Sequence, residues 1–136
     1  MYKRQVLRYV LQYSGLGDLI GNAVASANLP IVLVAFIVAA LVRICVGSAT
    51  VAMTMAAGII AAMPGISELP PLYLACVVAA VAGGSTVCSH FNDSGFWLVR
   101  SLVGVDEKTN LKTWTIMETL VGFSGFVVAF IISLFV

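Results

Sequence analysis

Arg43-Ile44-Cys45-Val46-Gly47-Ser48-Ala49-Thr50 interrupts an apolar stretch that extends over residues 29–63. Residues 29–42 before it and residues 49–63 after it carry no charge. Crossing about 30 Å of hydrocarbon takes about 20 helical residues, so neither half spans alone. Together they read as one discontinuous membrane helix, or as two half-helices meeting at a polar break. Unpaired backbone groups in hydrocarbon cost several kcal/mol each, so irregular backbone survives at that depth only where it lines a cavity or is buried in protein. The break is therefore a candidate binding site. The free N–H groups and positive dipole end of the second half-helix suit an anion. Ser48 and Thr50 are placed to cap that half-helix and to donate hydroxyls. A packing reading stands beside it: Gly47, Ser48, Ala49, Ala52, Ala56 and Gly58 are small residues suited to close helix contact. Arg43, expensive within a span, would then snorkel or pair with a lipid phosphate.

The rest of the chain has the composition of a protein dissolved in a bilayer. Of its 136 residues 61% are hydrophobic and 10% charged, with a mean hydropathy of +1.08, whereas a soluble domain carries about 25% charged residues. Seven basic and six acidic side chains cannot cover a core. The net charge of +1 carries no functional message, and without a basic patch interleaved with aromatics nucleic-acid binding has no support. Two further spans are expected at residues 70–87 and 115–136, making one all-α, polytopic transmembrane domain over residues 1–136. Arg100, Lys108 and Lys112 fall between those spans, while residues 63–71 carry only Glu68. The positive-inside rule puts the former loop in the cytoplasm, together with Lys3, Arg4 and Arg8, and the carboxy terminus outside. The basic start lacks the apolar core and cleavage site of a signal peptide. The chain is expected to begin partway through something larger and to end at the membrane boundary. Cys45, Cys76 and Cys88 lie within or at the edges of apolar stretches, with neither the spacing nor the histidines of a metal site, and read as inert thiols.

Three more groups of polar residues bear on function. Residues 83–97, Gly-Gly-Ser-Thr-Val-Cys-Ser-His-Phe-Asn-Asp-Ser-Gly-Phe-Trp, bring together His90, Asn92, Asp93 and several hydroxyls. Asp93 or His90 is a candidate proton carrier, and Asn92, Asp93 and Ser94 equally form an Asx-type turn capping a helix from Gly95. Residues 13–18, Tyr-Ser-Gly-Leu-Gly-Asp, read either as the tip of a re-entrant hairpin or as a plain Gly-rich turn. Glu118 reads as a first-turn helix charge in preference to a proton carrier, and Trp114 as an interfacial anchor. The lone histidine has no nucleophile arranged around a triad, which argues against an enzyme.

Residues 47–58 (Gly-Ser-Ala-Thr-Val-Ala-Met-Thr-Met-Ala-Ala-Gly), 89–99 (Ser-His-Phe-Asn-Asp-Ser-Gly-Phe-Trp-Leu-Val) and 111–119 (Leu-Lys-Thr-Trp-Thr-Ile-Met-Glu-Thr) resemble, in order and spacing, the gluconate permease family of proton symporters. Residues 11–18 look like that family's segment just before the broken helix, so the resemblance covers almost the whole chain. Family members are several times longer, and the chain resembles their carboxy-terminal part. The resemblance implies the second of two inverted repeats of a transporter in the wider ion-transporter superfamily, with a re-entrant hairpin limb, a broken helix and closing helices. It implies proton-coupled uptake of gluconate or a related sugar acid across the bacterial inner membrane, with no cofactor. Ser14, Gly15, Gly47, Ser48, Thr50, Asn92, Asp93 and Ser94 would lie near the substrate, and Asp93 or His90 would couple protons. The implied partners are the amino-terminal repeat, the lipid bilayer and, in a homo-oligomer, further copies. Tyr13 departs from the small or acidic residue expected of many relatives, which weakens the assignment at the hairpin. The alternative is a small membrane assembly subunit in which the breaks are packing devices.

Overall fold

In the computed structural model, which describes residues 29–136, Pro30 opens α1 (Ile31–Val46) with its φ fixed at −59°. The helix stops where Gly47 takes a left-handed φ of +76° and bonds its N–H to the Arg43 carbonyl, a conformation that costs glycine nothing. Ser48 is extended and caps α2 (Ala49–Ala61), its Oγ accepting from the Val51 N–H at 3.4 Å. A 3-10 turn (Ile66–Glu68) leads to Pro70 and Pro71, and Pro71 occupies the position where a helix needs no N–H, opening α3 (Pro71–Thr86). Residues 87–93 are not helical, and Cys88 stands at a positive φ of 57°. α4 (Ser94–Val103) follows, closed by Gly104, and then α5 (Glu107–Ser133). All regular structure among the described residues is helical.

Close approaches fix the direction of each helix. Gly84 of α3 lies on the Phe36 carbonyl, where an added Cβ would come within 2.3 Å of the oxygen. Farther along both elements, Asn92 and Asp93 meet Cys45 and Arg43. α1 and α3 therefore run parallel, and α2, which joins the end of one to the start of the other, has to return beside them. Its Ala56 and Ile60 enter the same core as Val32, Ala35 and Ala39 of α1 and Val77 and Ala80 of α3. Residues 29–63 thus form two half-helices meeting at a polar break, the second folded back on the first. α5 runs antiparallel to α3, with Gly122 against Gly83 and, nearer the start of α5, Thr119 and Thr115 against Cys88 and Ser89. Phe36 stacks on Phe126 at 4.2 Å between ring centroids, tying α1 to α5.

Two sequence expectations change. The polar tract at residues 89–112 is not a loop but the break, α4 and the start of α5. Because α5 begins at Glu107, Glu118 sits three turns inside the helix and not in its first turn. α5 has 27 residues and is the one helix among those described long and apolar enough to cross a membrane unaided. α1, α2 and α3 are shorter apolar helices. Leu120, Val121, Phe123, Val128 and Ile131 of α5 and Leu98, Leu102 and Val103 of α4 are exposed, a surface that suits lipid or further protein. The hairpin limb expected around residues 13–18 lies outside the described residues.

The α3–α5 contact is backbone on backbone, since a Cβ on Gly122 would stand 2.4 Å from the Gly83 carbonyl oxygen. Gly122→Val should therefore cost about 1–3 kcal/mol or more through overpacking. Gly125→Val, at a position with nothing within 4 Å, should be tolerated. Thermal retention of a monodisperse peak in detergent measures both. Equal melting for the two variants would contradict this packing.

Candidate functional site

The turn between α1 and α2 and the irregular segment before α4 cross each other. Gly47 is buried against Asn92, and an added Cβ would fall 2.1 Å from the Asn92 carbonyl oxygen. The Asn92 amide donates to the Cys45 carbonyl at 3.0 Å, satisfying an acceptor that the end of α1 leaves open.

Arg43 holds this crossing from beneath. It is only 3% exposed. Its Nη2 donates to Asp93 Oδ2 at 2.6 Å and its Nη1 to the Gly47 carbonyl at 2.5 Å, so one guanidinium grips both irregular segments. Asp93 also accepts from Ser89 Oγ at 2.5 Å and, through Oδ1, from the Gly95 N–H at 3.0 Å, which makes it the N-cap of α4. Every bond on this carboxylate favours its ionised form. α5 supplies the far wall. Trp114 Nε1 donates to Ser89 Oγ at 2.9 Å, the Thr115 hydroxyl donates to the Ser89 carbonyl, and Thr119 Oγ1 accepts from the Cys88 N–H at 3.1 Å.

Two half-helices begin at the crossing, and their amino termini differ. Asp93 puts a full negative charge at the start of α4. Ser48 gives α2 only a neutral cap at 3.4 Å. The Ala49 and Thr50 N–H groups have no acceptor among the described residues. The start of α2 is thus electropositive and, among the described residues, uncapped by charge. Thr50, Asn92 and Ser94 are exposed around the crossing, while Ser48 and His90 are half-buried.

Of the residues singled out from sequence, the structure brings Gly47 to Asn92 and, through Arg43, links Gly47 to Asp93, with Ser48 capping α2 and Thr50 and Ser94 in the first turns of the adjoining helices. Asp93 points inward to Arg43 and not to the rim. The Asx-type turn and the cap at residues 92–94 are present. His90 Nδ1 lies 3.0 Å from the Cys88 carbonyl oxygen, and His90 forms no ion pair with Asp93. Ser14 and Gly15 lie outside the described residues.

The local sequence does not reveal the Arg43–Asp93 pair, lipid being a partner for Arg43 only under the packing reading, nor does it reveal the roles of Ser89, Thr115 and Thr119. Trp114 was read as an interfacial anchor, yet it hydrogen-bonds the break. A signal for the pair existed. One cation and one carboxylate, each costly inside apolar sequence, suffice to suggest each other as partners.

A family model described as GntP family permease matches residues 5–135. The chain is 44% identical over 128 residues to a low-affinity gluconate transporter of Escherichia coli, covering 93% of this chain and 28% of the relative. It is 40% identical over 127 residues to a gluconate permease of Pseudomonas aeruginosa, covering 93% of this chain and 28% of that relative. It is 38% identical over 118 residues to the Gnt-II system L-idonate transporter of Escherichia coli, covering 87% of this chain and 26% of that relative. The chain thus spans little more than a quarter of the length of the curated relatives it matches. No solved structure matches it.

Proposed function

Because this chain belongs to the GntP family of permeases, we propose that it is the carboxy-terminal portion of a secondary transporter that carries gluconate or a related sugar acid together with protons across the bacterial inner membrane. The observation that carries the reading is the crossing of two interrupted helices, where α2 offers unaccepted N–H groups beside a rim of hydroxyl and amide side chains. Helix amino termini of this kind hold anionic substrate groups in transporters with discontinuous helices.

In this reading the substrate carboxylate docks at the Ala49 and Thr50 N–H groups. Its hydroxyls meet Ser48, Thr50, Asn92 and Ser94, with Gly47 keeping the backbone close and Asp93 acting from behind the rim. Ser14 and Gly15 belong to the same site on the strength of the family resemblance. The relatives' names span gluconate and L-idonate, both polyhydroxy monocarboxylates, and a site with one anion seat and several hydroxyl partners suits that class. The sequence offers Asp93 or His90 as the proton carrier, and the three donors on the Asp93 carboxylate count against Asp93. The folded-back α1–α2 pair, whose helices are individually too short to cross, enters and leaves the bilayer on one face as a re-entrant hairpin. α3 and α4 together cross it as a broken span and α5 crosses back, forming with the hairpin the second of two repeats that close around the substrate.

Thr50→Leu in the full-length permease tests the site. It removes an exposed hydroxyl next to the anion seat and fills the seat with a branched apolar group. Labelled gluconate uptake should fall at least about tenfold at matched surface expression, the order of loss seen when a polar partner of a substrate hydroxyl is removed. Uptake close to that of the parent would overturn the assignment of α2's amino terminus.

A further inference from the structure

We propose that Glu118 is the residue that binds and releases the transported proton, as the third member of a charge cluster with Arg43 and Asp93. This rests on the proposed proton-coupled transport and names a group that the sequence reading had set aside as a helix-terminal charge.

Position comes first. Glu118 is three turns inside α5, half-buried, and follows Trp114 by four residues and Thr115 by three. Residues at those spacings share a helix face. Trp114, Thr115 and Thr119 all bond the irregular segment at Cys88 and Ser89. Glu118 therefore faces the crossing that Arg43 and Asp93 hold together. It makes no hydrogen bond or ion pair among the described residues.

Arg43 is a single cation, and at 2.6 Å it is committed to Asp93. Two carboxylates beside one guanidinium leave one negative charge uncompensated, and in a low-dielectric site a bound proton removes it. Asp93 accepts three hydrogen bonds in its ionised form and has little to gain from a proton. Glu118 accepts none from the described residues. The buried Arg43 Nε has no hydrogen-bond partner, so the guanidinium retains a donor unused by Asp93.

Among the described residues, few other titratable groups stand near the cluster. His90 and Cys88 stand in the irregular segment, and Cys45 is exposed on the last turn of α1. On α4 the only charge, Arg100, is taken by Glu107 at 2.7 Å. Coupling then follows from electrostatics. A sugar-acid carboxylate arriving at α2's amino terminus adds a negative charge beside the cluster and favours the protonated form of Glu118, and by linkage a proton on Glu118 favours substrate binding to the same degree.

The test uses the full-length permease in proteoliposomes. The parent must first accumulate gluconate when an inward proton gradient is imposed; absence of that accumulation would defeat the proposed function itself, not the role of Glu118. With the parent active, Glu118→Gln should lose gradient-driven accumulation, its internal gluconate rising only to the external level, while gluconate counterflow at zero gradient persists. Glu118→Asp should keep accumulation with a displaced pH midpoint of uptake. Gradient-driven accumulation by Glu118→Gln overturns the proposal. If Glu118→Gln cannot be recovered as folded protein, Glu118→Asp decides, and an unchanged pH midpoint overturns it.

Discussion

Arg43→Ala should be among the most damaging single substitutions at the described residues, costing about 3–5 kcal/mol of stability, the loss typical when a buried ion pair is left with one member. The side chain is 3% exposed, and its removal strands Asp93 at 11% side-chain exposure and the Gly47 carbonyl without their donor. The two irregular segments would then keep only the Asn92–Cys45 hydrogen bond between them. Arg43→Met combined with Asp93→Leu should recover much of the stability, because paired apolar replacements of buried ions are often neutral or better, yet it should not recover transport. Denaturant titration of the full-length permease in detergent measures the stability and uptake measures the function. A loss below about 1 kcal/mol for Arg43→Ala would place the pair in a wetter setting than its burial indicates.

Gly47→Ala is the second large effect. At a φ of +76° any residue with a Cβ pays about 1–2 kcal/mol, and here the Cβ would also stand 2.1 Å from the Asn92 carbonyl oxygen, which is backbone and cannot swing aside. Gly65 is a built-in control. It has the same left-handed conformation at φ +78° with nothing within 4 Å, so Gly65→Ala should bear only the conformational term. The difference in melting between the two variants isolates the crossing contact, and gluconate uptake should be lost in Gly47→Ala alone. Equal behaviour would mean that the turn and Asn92 are not in contact.

Much of this architecture is legible in the sequence because hydrocarbon tolerates so little. The interruption at Gly47-Ser48, the cap at Asp93 and the apolar helices around them follow from length and from the cost of bare backbone. What sequence leaves open is direction. An αL residue followed by an extended one sends α2 back beside α1, whereas a slightly different turn would have let it continue, and composition is the same in both cases. The start of α5 was misjudged for a related reason. Glu107, Lys108 and Lys112 look like loop residues, yet the helix extends past the apolar zone and carries them in its first two turns. That misplacement hid the depth of Glu118. The partnership of Arg43 with Asp93, separated by 50 positions, depends on the parallel run of α1 and α3, which no local pattern encodes.

The grip of Arg43 on Gly47 and Asp93, together with that of Asn92 on Cys45, has a mechanical consequence. A helix interrupted in mid-course is ordinarily a flexible joint, and a protein with two such interruptions has two places to bend. Cross-bracing each against the other removes that freedom, so bending one would require breaking the charged bond to the other. The two weak points become one stiff truss. In the proposed transporter, the movement that exposes the site to one side of the bilayer and then to the other is therefore expected around this truss and not within it.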